Sequence, residues 1–477
     1  MKKAFAWKLL ERFGVQAVQF VLQVILARML MPEHYGILAI MFIFINLANI
    51  IIQSGLNTAL IQNKDVTERD YSSVLWVSLL FSAVLYAVIF LFAPLIAYFY
   101  ATSELVLPLR VLALVLFPGA VNSVQLAKVS REKDFKKVFF GNIWAIIGSG
   151  AIGIAVAYFG GGLWALVCYH ASNIVIATAV MRFTVGLKIY FSIDIERIKT
   201  LFAFGWKLLV SGLADTLYIS LQDLIVGKKY SSQALGFYNR GKQFPQFFMN
   251  SINGAVQSVM LPVLSEKQGD KESIKQTVRK SIAVNSFIIF PIMAGLAGIA
   301  KPMTELLLTE KWLPCLPYVW IFCFSLAFYP IHSCNLQVMN AIGRSDLFLK
   351  LEIIKKSYGT ALLIIAVFCF DTPIAIALTT VVTAVISLFV NAVPNKKLIG
   401  YSIKELLRDI LPQFAVSLVM LCCVIAVGML NLSLPILLAA QILVGASVYV
   451  LISALTRMTP FLLLANAVKE SVKERKQ

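Results

Sequence analysis

Fourteen stretches of this chain are long and apolar enough to bridge a lipid bilayer: 13–31, 37–62, 73–100, 105–127, 138–159, 162–181, 201–227, 235–262, 281–300, 316–342, 354–370, 373–393, 410–430 and 435–456. A spanning helix needs roughly 20 mainly apolar residues. In hydrocarbon, each backbone N–H and C=O must be satisfied within the protein, so segments of this length cross only as helices. The pattern predicts an all-α integral membrane protein with about fourteen transmembrane helices. Only 14% of the residues are charged, too few for a water-facing surface, since soluble chains carry roughly a quarter. The first run is too long for a signal peptide and lacks a small-residue cleavage site, so it is expected to stay as an anchor.

A net charge of +18 raises the question of nucleic acid. The distribution of that charge answers it. With the amino terminus inside, most of the 42 Lys and Arg fall in inner loops, as in "AKVSREKDFKKV" (127–138), "SEKQGDKESIKQTVRK" (265–280), "NKKLIGYSIKELLRD" (395–409) and "KESVKERKQ" (469–477). This is the bias of cytoplasmic loops. Topology therefore accounts for the charge, no nucleic acid is expected, and an even helix count places both termini in the cytoplasm. The seven cysteines make no CxxC or Cys/His spacing and read as small apolar fillers. No Gly-rich phosphate loop, HExxH or GxSxG is written, and no loop is long enough for a soluble domain. Neither a cofactor nor a metal is implied.

The chain also repeats itself. "FAWKLL" (5–10) returns as "FGWKLL" (204–209), 199 positions later. From there Lys8, Arg12, Gln16, Gln19 and Gln23 step along the first helix as Lys207, Ser211, Asp215, Tyr218 and Gln222 step along the seventh, each list on one helix face. In the second and eighth helices Gly36 matches Gly236. The stripe Asn46, Asn49, Gln53, Asn57 matches Gln246, Asn250, Asn253, Gln257. "FPGAVNSVQ" (117–125) and "YPIHSCNLQ" (329–337) each set Pro seven residues before Gln. The chain thus divides into two six-helix bundles, 1–200 and 201–400, and an added helix pair with a basic tail, 401–477. Both halves start from the inside, so the repeats are parallel and related by a pseudo-two-fold axis along the membrane normal.

Four helices carrying polar stripes cannot face lipid cheaply. One explanation is interhelical glue, as buried amides bond across membrane helices. The other is a shared polar cavity. The cavity candidates are Gln16, Gln19, Gln23, Asn46, Gln53, Asn57, Lys207, Asp215, Gln222, Asn250, Asn253 and Gln257. Asp215 is the candidate for ion coupling, against a buried pair with Lys207 or Arg12; Asp223 reads rather as a paired acid. Arg240 and Lys242 flank Gly241 and suit an anionic head group, against snorkelling to the interface. His332 lies beside the Pro330 break and titrates near neutral pH in water, although a lone His is more often structural.

Several stretches resemble one family. "ILARMLMPEHYGILA" (25–39), "SGLNTALIQNKDVTERDYSSVLW" (54–76), "VSREKDFKKV" (129–138), "FGWKLLVSGLADTLYISLQDLIVGKKYSSQALGFYNRGKQFP" (204–245) and "VMLPVLSEKQGD" (259–270) are similar to the polysaccharide transporter family. The likeness is to its Wzx-type, colanic-acid and teichuronic-acid exporter branch, within the multidrug/oligosaccharidyl-lipid/polysaccharide (MOP) exporter superfamily. It covers residues 1–400 well and the last pair weakly. The resemblance implies a MATE/MOP-like fold. It also implies a flippase that carries undecaprenyl-diphosphate-linked oligosaccharide across the bacterial plasma membrane by alternating access. The product would be O-antigen, exopolysaccharide or capsule, with membrane lipid, a polymerase and a chain-length regulator as partners. The apolar pair 410–456 would shield or guide the polyprenyl tail. A MATE-like drug exporter, a lipid II flippase and a membrane polymerase are the rival readings. Amide-rich stripes with basic neighbours disfavour the first, and short outer loops disfavour the last.

Overall fold

The computed structural model describes the backbone of residues 2–474 other than 54, 64, 133, 192 and 268. It describes their side chains other than those of 2–13, 62, 135, 204, 207, 208, 255, 258, 259 and 467–474. Among the described residues the regular elements are helices, and there is no strand. The contacts divide the chain into two units, 1–236 and 237–477.

The first unit holds α1 (Lys2–Met29), α2 (Pro32–Gln53), α3 (Leu56–Gln62), α4 (Glu68–Phe99), α5 (Val106–Ala113), α6 (Leu116–Glu132), α7 (Phe135–Tyr158), α8 (Leu163–Val185), α9 (Ile195–Lys229) and the first turn of α10 (Ser232–Glu266). The second holds the rest of α10 with α11 (Lys271–Leu308), α12 (Leu316–Ala327), α13 (Tyr329–Ala341), α14 (Ser345–Cys369), α15 (Pro373–Ile399), α16 (Ile403–Val427), α17 (Leu434–Leu455) and α18 (Thr459–Glu474). Among the described residues ten spans are long and apolar enough to cross a membrane, and α5 with α6, bent by 40°, makes an eleventh. The other three apolar runs of the sequence lie in α1, α10 and α14. In α1 the described apolar stretch is Gly14–Met29, and in α14 Lys350, Glu352, Lys355 and Lys356 interrupt the run.

The breaks have local causes. The run 37–62 is not one helix. Gly55 takes a left-handed φ of 67°, which a side chain resists, and α3 starts anew beyond it. α12 and α13 are separated at Phe328, with Pro330 in the first turn of α13, where its missing N–H costs nothing.

In the first unit α9 packs on α2, α3 and α4. Two crossings are set by glycine. A Cβ on Gly36 would lie 1.6 Å from the carbonyl oxygen of Ser232, and one on Gly236 would lie 2.0 Å from that of Pro32. The repeat-matched glycines therefore sit at one crossing of α2 with the start of α10. At the other end, a Cβ on Gly55 would lie 2.4 Å from the carbonyl oxygen of Gly205 on α9. Near the first crossing Thr102 Oγ1 lies 3.4 Å from Ser232 Oγ, and Lys228 donates to the Phe99 carbonyl.

The segment leading into α9 is stitched to the start of α4. Thr67 and Asp70 form a reciprocal N-terminal cap. The other Asp70 oxygen accepts from Arg197 Nε at 3.2 Å, and Arg197 also donates to the Asp65 carbonyl. Ser72 donates to the Lys188 carbonyl (3.2 Å), and Trp76 Nε1 to that of Tyr190 (2.9 Å). Lys128 pairs with Glu68 at 2.5 Å, while Arg131 donates to the Leu60 carbonyl (3.0 Å) and that of Asn63. Apolar contacts of Leu56, Leu60, Val74, Leu75, Val124 and Leu201 lie beneath these polar links. Asp70 is buried while Arg197 is partly exposed and the Thr67 bonds to the carboxylate remain, so losing Arg197 should cost about 1–3 kcal/mol.

The second unit fastens α16 to α11 in the same style. Ser402 and Glu405 form the cap, Lys275 pairs with Glu405 at 2.8 Å, and Arg279 holds Asp409 with two bonds of 2.8 and 2.7 Å. The Tyr401 hydroxyl donates to Asp409 at 3.0 Å. Burial pushes that phenol far above its ordinary range, so it remains a donor. The two junctions even share wording, Phe191-Ser192-Ile193 and Tyr401-Ser402-Ile403.

Candidate functional site

A polar side chain that is exposed midway along an apolar helix has two possible surroundings, lipid or water. Lipid charges at least ~2.5 kcal/mol for a carboxylate at the helix centre, and an amide without a partner is also penalised. In the first unit α2 exposes Asn46 and Gln53, seven residues apart and thus on one face, while Asn49 and Asn57 are half-buried. α9 exposes Asp215, with Tyr218 and Gln222 half-buried further along. α1 presents Gln16, Gln19 and Gln23, all half-buried. The side chain of Lys207 lies outside the described residues. The amide oxygens of Gln16 and Asn57 are enclosed with no hydrogen-bond partner among the described residues, as suits groups awaiting water or a polar ligand.

In the second unit α10 exposes Asn250 and Gln257, again seven residues apart, with Gln246 and Asn253 half-buried. The Asn253 oxygen is also enclosed without a partner among the described residues. Arg240 is buried: Nη1 donates to Gln243 Oε1 at 2.6 Å, and the guanidinium lies 4.8 Å from the centre of the Trp312 ring. Lys242 is half-buried, its ammonium 5.9 Å from the Phe322 ring. His332 stands on α13 with both ring nitrogens enclosed.

Some polar groups in the second unit join helices to one another. Asn395 Nδ2 donates to Asn335 Oδ1 at 2.8 Å with both residues fully buried, and the Tyr358 and Ser387 hydroxyls lie 2.6 Å apart. The contrast separates two uses of the same residue type. Asn335 and Asn395 are fully buried and bonded to each other, while Asn46 and Gln53 on α2 and Asn250 and Gln257 on α10 are exposed along their helices. The ion-pair junctions at Asp70 and Asp409 carry no signal in helical periodicity, because their partners lie far apart in sequence. Only the charge-rich wording of 63–70 and 402–409 hints at them.

Comparison with known proteins gives the family and the fold. Teichuronic acid biosynthesis protein TuaB of Bacillus subtilis (strain 168) is 24% identical over 306 residues, covering 63% of this chain and 62% of TuaB. The chain thus matches somewhat less than two thirds of that relative's length. Lipopolysaccharide biosynthesis protein WzxC of Escherichia coli (strain K12) is 20% identical over 431 residues, 88% of this chain and 86% of WzxC. Among solved structures, the lipid II flippase MurJ in an inward closed conformation superposes with a TM-score of 0.73 at 17% identity, covering 96% of this chain and 99% of MurJ. That likeness gives the fold, a helical bundle like that of MurJ. The family model described as polysaccharide biosynthesis protein matches residues 25–317, from the end of α1 to the start of α12. On that match, which takes in the α2, α9 and α10 stripes and both glycine crossings, the chain belongs to the polysaccharide biosynthesis protein family.

Proposed function

We propose that this protein is a flippase that moves an undecaprenyl-diphosphate-linked oligosaccharide across the bacterial plasma membrane by alternating access, for surface polysaccharide synthesis. The observation that carries the reading is the exposure of amides along apolar helices: Asn46 and Gln53 on α2, and Asn250 and Gln257 on α10. Sugar hydroxyls both donate and accept, and amides answer both without a fixed charge. An organic cation would ask instead for acids and aromatics. The stripes line the translocation path, with Asp215 coupling the cycle to an ion gradient. The polyprenyl tail stays in lipid, and the protein performs no covalent chemistry. A polymerase and a chain-length regulator act on the product. Both termini face the cytoplasm, as the basic inner loops require; a thiol label reaching Gln477→Cys from outside intact cells would contradict that.

The test is flipping by purified protein in vesicles loaded with fluorescent lipid-linked oligosaccharide. Acceleration over empty vesicles is expected, and cysteines at Asn46, Gln53, Asn250 and Gln257 should react with hydrophilic thiol reagents. Lipid II in parallel vesicles tests the second reading, to which the MurJ fold lends support. Flipping of lipid II with none of the oligosaccharide lipid would replace the first reading with it.

A further inference from the structure

Two hollows meet at Ile425 in the second unit. The first, about 370 Å³, is an apolar groove between α11 (Phe290, Met293), α12 (Trp320, Phe324) and α16 (Phe414, Leu421). The second, about 290 Å³, lies at the far ends of α11 and α16 and the near end of α17. Its polar groups are Lys301, Glu305 and Gln441. Ile425 lines both. Along α16 the groove runs from Phe414 to Ile425, roughly 16 Å at 1.5 Å per residue, close to half the hydrocarbon thickness.

The cleft is built for a ligand with two opposite charges. Lys301 is exposed and Glu305 half-buried, and neither side chain has a partner among the described residues. Gln441 is only 2% exposed. Its Nε2 donates to the Val424 carbonyl at 3.0 Å, which aims the amide, and its Oε1 is buried with no partner. Gly428 makes room for it, since a Cβ there would lie 2.8 Å from Gln441 Nε2. A buried acceptor left unmet costs about 1–3 kcal/mol, which a bound donor would recover. The cleft thus offers one cation and two acceptors. A diphosphate suits it poorly, because Glu305 would repel it.

We propose that the joined groove and cleft bind one phosphatidylethanolamine molecule as a structural lipid. Its ammonium group donates to Glu305 and Gln441 Oε1, its phosphate faces Lys301, and one acyl chain fills the groove along α16. With Lys271 and Glu405 at the cytoplasmic end, the head group belongs to the outer leaflet. This site is separate from the polar stripes and does not depend on what they carry.

Native mass spectrometry of the purified full-length chain, with graded additions of phosphatidylethanolamine, phosphatidylcholine, phosphatidylglycerol or undecaprenyl diphosphate, tests it. Phosphatidylethanolamine should bind about tenfold more tightly than phosphatidylcholine, whose quaternary nitrogen donates nothing; tenfold corresponds to one charge-assisted hydrogen bond. Gln441→Leu and Glu305→Gln should each erase that preference, and Lys301→Gln should weaken binding of both zwitterionic lipids. Phosphatidylethanolamine with brominated chains should quench Trp320, read as the difference from Trp320→Phe. Glu305→Gln lies at a half-buried surface and keeps the test sound should Gln441→Leu fail to fold. Equal binding of the two zwitterionic lipids, tighter binding of either anionic lipid, or an unchanged preference in Glu305→Gln would overturn the proposal.

Discussion

Gly36→Leu is expected to slow flipping by about tenfold or more while leaving membrane insertion intact. A Cβ at Gly36 would stand 1.6 Å from the Ser232 carbonyl oxygen and 2.5 Å from its carbon. The obstacle is main chain, which has no rotamer to swing aside. Either α2 and α10 part at this crossing or one of them bends, and overpacking of this kind costs about 1–3 kcal/mol. A cycle that must close this end then stalls, with flipping in vesicles falling by about tenfold or more, the factor that 1.4 kcal/mol represents. Gly119→Ala is the control: its Cβ would meet Asn49 Oδ1 at 3.6 Å, an ordinary contact, and it should behave as wild type. Wild-type flipping by Gly36→Leu would show that the crossing need not close.

Asp215→Asn is expected to insert and fold normally yet lose its response to an ion gradient. Asp215 takes the place that Gln16 holds in the first copy of the repeat, so helix packing at that position accepts an amide. The carboxylate stands exposed along α9. A charge there costs at least ~2.5 kcal/mol on insertion scales, and a role in coupling would explain its presence. In vesicles with an imposed proton or sodium gradient, the variant should flip at the same slow rate with and without it. The wild type should be faster by about tenfold under the favourable gradient. An unchanged gradient response in the variant would make Asp215 structural.

Much of this was legible in the sequence because membranes restrict the answer. Apolar runs give helices, and α1, α2, α9 and α10 each form where such a run is written. Residue by residue, the stripe places Asn46 and Gln53 seven apart, and both stand open. The break at Pro330 is written in the residue itself. Other features were hidden for physical reasons. The helix around 281–300 extends to Lys271, because charged turns beyond the bilayer are helical without being apolar. The break at Gly55 hides within a continuous apolar run, since a lone glycine is common in membrane helices. The Asp70–Arg197 pair spans 127 residues, and no short window can hold both partners. Gln441 resembles any other amide until its oxygen is found buried and unmet.

The two glycine crossings bear on how leakage is avoided. Gly36 lies near the start of α2 and Gly55 just beyond its end at Gln53, and each lies against main chain of the same α9–α10 hairpin. A stiff rod touching its neighbour at both ends behaves as a seesaw: lifting one end loads the other. In the proposed alternating-access cycle, α2 would then make opening to one side exclude opening to the other by leverage alone, with no signal relayed through side chains. Spin-label distances across the two crossings should change in opposite directions through the cycle, and a joint widening would refute the lever.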